Sequence, residues 1–199
     1  MTQTPNVISA DWLARPAEVV APDLLGCSLL RQLPNGAVIR GLIVETEAYG
    51  PGDPACHGYR RRTPRNEVMF GPAGVIYVYL IYGLYYCLNV VTDRPNTPSA
   101  VLIRAVQLSA LPDHLDSKLG STLDRIAAGP GKLCRVLEID QALSGQILQP
   151  KHGLWLEHRS PECPQAAQAP VQTQRIGIQK GAEIPWRWYL PDCPAVSKP

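Results

Sequence analysis

The sequence predicts a single mixed α/β (α+β) domain, and three observations carry that expectation. A chain of 199 residues, 45% of them hydrophobic, can bury a sizeable core and lies near the usual size of one domain. Two β-rich stretches fold back on themselves around turn residues. Helical patterning is confined to short segments near the start and between Ser121 and Ile139.

In chain order, Ser9 is placed to cap a short helix carrying Trp12 and Leu13, because its hydroxyl can accept from a free N–H of the first turn. Pro16 opens a second helix that ends near Leu25 and Gly26. Cys27 to Leu33 and Ala37 to Tyr49 read as strands, joined by the hairpin signal Pro34-Asn35-Gly36. Gly50 to Asn66 is rich in Gly, Pro and Arg, has no period, and reads as a long surface loop. The run VIYVYLIYGLYYCLN from Val75 to Asn89 is β-branched and aromatic, which favours two strands around a tight turn at Tyr82-Gly83. A further strand follows at Ala100 to Gln107, then two helices separated by Gly129-Pro130-Gly131. Short strands at Leu154 to His158, Thr173 to Ile178 and Trp186 to Leu190 complete the domain. The Pro-rich stretches Pro161 to Pro170 and Pro191 to Pro199 read as a surface loop and a tail.

Composition narrows the function classes. A formal charge of +2 and a pI of about 8.2 are too mild to demand a nucleic-acid partner, so a local basic cluster would have to supply one. The six cysteines contain no C-x-x-C pair and follow no basic and apolar leader, which predicts a reduced intracellular protein, cytoplasmic or nucleoid-associated and not secreted. His152 and His158 lack zinc-ligand spacing, so no metal is expected. No apolar run approaches the roughly 20 residues that span a bilayer, and no membrane contact is expected.

Three features carry chemistry. Glu45, Glu47 and Tyr49 alternate on one strand, so they share a face with neighbours roughly 6.6 Å apart. A carboxylate beside aromatic walls is shielded from bulk water and suits a general base; the alternative is that both acids are solvated or paired with arginines. The hairpin tip Ile81-Tyr82-Gly83-Leu84 is apolar where turn chemistry calls for Asn-Gly or Asp-Gly. A rigid ring there is a wedge for stacked bases, unless the tip is buried in the domain or a dimer contact. Arg60, Arg61, Arg62 and Arg65 form the densest positive cluster, suited to phosphates or else simply solvated. Together, an acid on a strand, a ring wedge, tyrosine faces and a basic loop are the parts of a base-flipping enzyme.

The segments VETEAYGPGDPACHGYRRRTPRN, MFGPAGVIYVYLIYGLYYCLNVV, SAVLIRA and GPGKLC, in that order, resemble the alkyladenine (3-methyladenine) DNA glycosylase family, over about Leu25 to Leu190. The resemblance implies a single domain around a curved antiparallel sheet, with a β-hairpin protruding into the DNA minor groove. It implies Glu47 as the general base and Arg104 as the arginine that helps hold the attacking water, with the main-chain carbonyl of Ile176 as a further contact. It implies Tyr49, His57 and Tyr79 as walls of the base pocket, Asn89 as the residue that crowds the 2-amino group of guanine, and Tyr82 as the intercalating side chain. Arg61, Arg62 and Arg65 are the expected DNA-backbone contacts.

The activity so implied is that of a monofunctional DNA glycosylase acting on alkylated or deaminated purines, of the 3-methyladenine, 7-methylguanine, hypoxanthine and ethenoadenine class, and initiating base excision repair. No lysine matches a nucleophile, so hydrolysis without strand cleavage is expected, with no cofactor. The expected partner is double-stranded DNA containing a damaged purine, met by a monomer; a catalytically silent binder of damaged DNA is the alternative. Two departures from the family pattern stand out. The chain has eight positions from Tyr49 to His57, one fewer than the pattern, and Thr92 to Pro98 replaces a glycine-rich connection, leaving Arg94 to meet a phosphate or solvent.

Overall fold

The computed structural model describes residues 6–115, 122–160 and 169–198. Helix α1 (Ala10–Leu13) begins at Ser9, whose hydroxyl accepts from the Trp12 N–H at 3.2 Å, and α2 (Ala17–Asp23) begins directly after Pro16. Strands β1 (Ser28–Gln32) and β2 (Val38–Tyr49) form the first hairpin, with Gly36 at φ 86° as its turn requires. Strands β3 (Ile76–Ile81) and β4 (Tyr85–Val91) form the second. At its tip Tyr82 and Gly83 both have positive φ, 53° and 67°, and the Leu84 N–H bonds the Ile81 carbonyl at 3.2 Å. A tyrosine thus takes the place that Asn or Asp ordinarily fills in such a turn.

Strand β5 (Ala100–Leu108) follows, then α3 (Leu123–Ile126) and α4 (Pro130–Val136), the latter with Pro130 in its first turn. Strands β6 (Leu154–Glu157), β7 (Val171–Thr173) and β8 (Arg187–Tyr189) close the chain. The result is one curled antiparallel sheet in the order β3-β4-β5-β2-β1-β6, with β8 paired to both β2 and β7. The long strand β2 makes this possible: its first part pairs with β1, residues Glu45 to Glu47 pair with β8, and β5 runs along its other edge.

Between β2 and β5 the register slips twice, at Ile43/Glu45 and at Glu45/Thr46, so Val44 on one strand and Arg104 on the other have no partner of their own. Such bulges tighten the twist and re-aim a side chain. One sheet face packs against α2 and α4 through Ile43, Ile76, Leu88, Ile103, Leu133 and Leu137, all fully buried. Each such side chain contributes about 1.5–3 kcal/mol of hydrophobic stabilisation. The other face is covered by the 50–70 segment around Cys56, Met69, Tyr77 and Ala100, which is why β5 is buried along nearly its whole length.

Two expectations are corrected. The strand expected at Thr173 to Ile178 ends at Thr173, because Arg175 turns inward, the Ile176 N–H bonds a side chain, and Gly177 (φ 78°) breaks the pleat. The segment read as a tail from Pro191 is packed: Ala195 and Val196 are buried, and Arg125 holds the carbonyls of Pro194, Val196 and Ser197. Most of the loop expected at Pro161 to Pro170 lies outside the described residues, as does Cys163. Cys27, Cys56, Cys87, Cys134 and Cys193 are free thiols, and no helix among the described residues is long and apolar enough to cross a membrane.

Candidate active site

The pairing register gathers the site. Tyr77 lies opposite Asn89, Asn89 opposite Leu102, and Leu102 opposite Glu47, so one row crosses β3, β4, β5 and β2. Residues two apart share a face, which adds Tyr79, Arg104, Glu45 and Tyr49 to the same side.

Both glutamates are fully buried, and their partners separate them. Glu45 accepts from Arg104 Nε (3.0 Å), Arg187 Nε (2.7 Å), and the Ser197 N–H (2.8 Å) and hydroxyl (2.9 Å). Burial works against ionisation of Glu45, but Arg104, Ser197 and Arg187 together hold its pKa below the usual carboxylate value. Glu47 Oε1 forms an ion pair with Arg104 Nη1 (3.0 Å) and accepts from the Ile176 N–H (2.8 Å), and Oε2 accepts from the Tyr49 hydroxyl (2.7 Å). A carboxylate offers about four lone-pair sites. Three of the donors to Glu45 meet Oε1 and the Ser197 N–H meets Oε2, none of them from the pocket wall, whereas Glu47 Oε2 takes only the hydroxyl of the pocket residue Tyr49 and keeps a lone pair beside it.

Beside Glu47 lies a narrow pocket lined by Tyr49, Ala55, His57, Met69, Tyr77, Tyr79 and Asn89. Its rings are fixed by polar contacts: His57 Nδ1 is 2.8 Å from the Tyr77 hydroxyl, and the His57 ring meets Tyr79 edge-on at 4.6 Å between centroids. Asn89 is anchored by its amide N–H groups to the carbonyls of Tyr77 (3.2 Å) and Cys87 (3.4 Å). Burial pushes the Tyr77 pKa up to about 12. Burial, and then the Glu47 charge, raise that of Tyr49 well above its ordinary value. Burial, then the Arg65 charge, lower that of His57.

Behind Tyr49, Arg175 forms a buried two-pronged ion pair with Asp53 and lies 4.7 Å from the centre of the Tyr49 ring. At the second hairpin Tyr82 is 82% exposed and Leu84 69%, so the apolar tip is open to solvent and not tucked into the domain. On the other side of His57 and Tyr77, a cleft is lined by Arg60, Arg61, Thr63, Arg65 and Asn66. Arg62 points elsewhere: it is bound to Glu67 (2.7 and 2.5 Å) and Asn96 (3.0 Å) and lies 5.1 Å from the Phe70 ring centre. Arg94 is exposed and makes no ion pair among the described residues. Nor do three His, Cys, Asp or Glu side chains gather among them as metal ligands would.

Compared with known protein families, residues 11–194 match the family described as Methylpurine-DNA glycosylase. The chain belongs to that family. As a methylpurine-DNA glycosylase family member it is a DNA glycosylase, and it is similar throughout its length to proteins that carry the name 3-methyladenine DNA glycosylase. One from Trichodesmium erythraeum is 56% identical over 198 residues, covering 97% of this chain and 98% of that protein. One from Synechococcus sp. is 55% identical, covering 94% and 97%, and one from Methanoculleus marisnigri 43% identical, covering 96% and 98%.

The glycosylase's structure brings together most of the residues singled out in its sequence. Arg104, Ile176 and Tyr49 all contact Glu47, and Tyr49, His57, Tyr79 and Asn89 line one pocket. Ile176 was expected to contribute its carbonyl; the contact it makes with Glu47 is through its N–H. The eight-position span from Tyr49 to His57 still delivers His57 to the pocket wall. It does so with Gly58 pressed against Pro98, where a Cβ on Gly58 would lie 2.2 Å from Pro98 Cβ. Missed from the sequence were Tyr77, Asp53, Arg175 and Ser197. Tyr77 had a signal, being two residues before Tyr79 on the same strand face; Asp53 sits in the loop between Tyr49 and His57 with no local mark, and Arg175 and Ser197 come from distant parts of the chain.

Proposed function

We propose that the glycosylase is monofunctional: it turns an alkylated or deaminated purine out of duplex DNA, stacks it in the pocket, and hydrolyses its N-glycosidic bond with Glu47 as general base. The observation that carries this reading is the contrast between the two glutamates. Glu47, and not Glu45, is bonded to a residue of the pocket wall, through the Tyr49 hydroxyl at Oε2, and has a lone pair of that oxygen to spare.

In this reading the Oε2 lone pair accepts a proton from the water that attacks the anomeric carbon, while Arg104 and the Ile176 N–H hold Oε1 still. The carboxylate also stabilises the sugar as it gains oxocarbenium character. The everted base lies among Tyr49, His57 and Tyr79, and the amide of Asn89, pinned by two carbonyls, crowds a guanine 2-amino group. Tyr82 occupies the gap in the duplex, since its ring is the most exposed large apolar group of the chain's described residues.

Arg61 and Arg65, with Arg60, make no ion pair among the described residues and are free for phosphates, whereas Arg62 braces the loop through Glu67 and Asn96. No lysine lines the pocket, which supports hydrolysis without strand cleavage. The names of the relatives point to 3-methyladenine as one substrate, and 7-methylguanine, hypoxanthine and ethenoadenine belong to the same class. The enzyme acts as a monomer.

The test is a duplex carrying one 3-methyladenine or one hypoxanthine, incubated with excess enzyme and then treated with alkali. Cleavage at the lesion after alkali, and not before, is the expected result. DNA that stays intact after prolonged incubation overturns the proposal.

A further inference from the structure

We infer that the Arg175–Asp53 pair behind Tyr49 sets the preference of the pocket between cationic and neutral purines. This rests on the reading above, in which the base stacks on Tyr49. Arg175 is 5% exposed and its fork grips Asp53 with both prongs, while Nη1 also bonds the Ala48 carbonyl (2.9 Å) and Nη2 that of Gly181 (3.0 Å). The guanidinium lies between two rings, 4.7 Å from the centre of Tyr49 and 5.7 Å from that of Trp186. It lies over the Tyr49 ring and is not among the residues lining the pocket, so on the inferred arrangement it takes one face of that ring and the guest the other. Gly181 (φ +62°) seals the pair: a Cβ there would lie 2.9 Å from Asp53 Oδ1 and 3.1 Å from Arg175 Nη2.

The physics concerns what a second cation meets on the open face. An aromatic face attracts cations through its quadrupole, and a guanidinium already on one side draws that electron density toward itself. A cationic base on the far side also feels the fixed charge across the ring, at roughly 8 Å, in a site with little water to screen it. A neutral base feels neither effect. Asp53 offsets the repulsion, so the balance between the two charges tunes selectivity. A purely structural role fits less well, because Arg175 Nε is buried without a partner, a standing desolvation cost that an apolar residue would not carry.

Three variants separate the readings by sign. Asp53→Asn keeps the shape and leaves the cation uncompensated; the double variant Asp53→Asn/Arg175→Gln removes both charges; Arg175→Lys keeps the cation. Single-turnover excision of 3-methyladenine, cationic, and hypoxanthine, neutral, is measured in one duplex context. Neither base carries a 2-amino group, so Asn89 treats them alike. Relative to wild type, Asp53→Asn is expected to shift the rate ratio about fivefold toward hypoxanthine, and the double variant a similar factor toward 3-methyladenine, matching a cation–ring effect of ~1 kcal/mol. Arg175→Lys gives up the two-pronged grip on Asp53 but keeps the cation, so both rates are expected to fall together with their ratio within about twofold of wild type. In the first two variants, equal loss on both lesions or shifts of the same sign overturn the inference. Should thermal melting show that the double variant does not fold, the sign of the Asp53→Asn shift decides alone. A wild-type enzyme that releases neither base refutes the functional reading instead.

Discussion

Replacing Glu47 by glutamine tests the chemistry with little disturbance of shape. The side-chain oxygen keeps the Oε1 partners, Arg104 Nη1 at 3.0 Å and the Ile176 N–H at 2.8 Å, because the reverse orientation would set an amide N–H against two donors. The amide nitrogen then faces the Tyr49 hydroxyl, now 2.7 Å from Oε2, and the phenol can accept where it formerly donated. What is lost is the charge and the only open acceptor. Turning charge-assisted bonds into neutral ones is expected to cost about 1–3 kcal/mol of stability, or a melting-temperature drop of about 2–12 °C. Losing general-base catalysis removes a factor of about 10²–10⁴, equivalent to about 3–5 kcal/mol in the barrier. The assay is single-turnover release of hypoxanthine from a duplex, beside a gel-shift titration with the same DNA. The expected result is lesion binding near wild type with base release slowed by at least two decades. A folded Glu47→Gln protein whose release rate stays within about threefold of wild type would remove Glu47 from the role assigned to it.

Tyr82→Ser changes a side chain that is 82% exposed, so stability should move by less than about 0.5 kcal/mol. A fluorescent base analogue at the lesion should report weaker capture of the everted state, and an unaltered signal counts against the wedge. Alkaline stability offers an independent check on the pocket. Burial raises the Tyr77 pKa from 10.0 to about 12, so its contribution is fully present below pH 10 and is lost as pH rises from 10 toward 12. Two units correspond to about 2.7 kcal/mol. Urea melts of wild type between pH 9 and 12 should decline more steeply than those of Tyr77→Phe, which lacks the titrating phenol; parallel declines would show that Tyr77 does not report on pocket burial.

The elements that local chemistry specifies were legible in the sequence. Ser9 caps α1, Pro130 opens α4, and both hairpins reverse where Gly36 and Gly83 permit positive φ. The period of two that aligned Glu45, Glu47 and Tyr49 also held, with the slips between β2 and β5 leaving the three on one face. What escaped notice depends on contacts far apart in the chain. Arg175 and Asp53 are 122 residues apart, and neither is unusual locally, an arginine near a strand end and an aspartate in a Gly-Pro-rich turn. The proline content of the last nine residues suggested a free tail, but prolines equally suit a segment held by its carbonyls, as Arg125 holds this one.

The two glutamates show why residue type and spacing alone do not single out a catalytic acid. Glu45 and Glu47 lie on the same strand, face and stretch of bulged ladder, and Arg104 binds both. The difference enters from the far end of the chain. Arg187, from β8, and Ser197, from the packed terminal segment, engage both oxygens of Glu45 and hold it away from the pocket wall. Glu47 receives from the same region only a single N–H, that of Ile176. Glu45 therefore serves to fix the arginine: with Nε tied at 3.0 Å to a carboxylate that is itself immobilised, the guanidinium can present Nη1 to Glu47 in one orientation only. On this account the bulge at Arg104 matters because it sets one cation between two acids. The strand register determines which acids share it, and the C-terminal residues hold Glu45 by both oxygens while Glu47 keeps Oε2 against the pocket residue Tyr49.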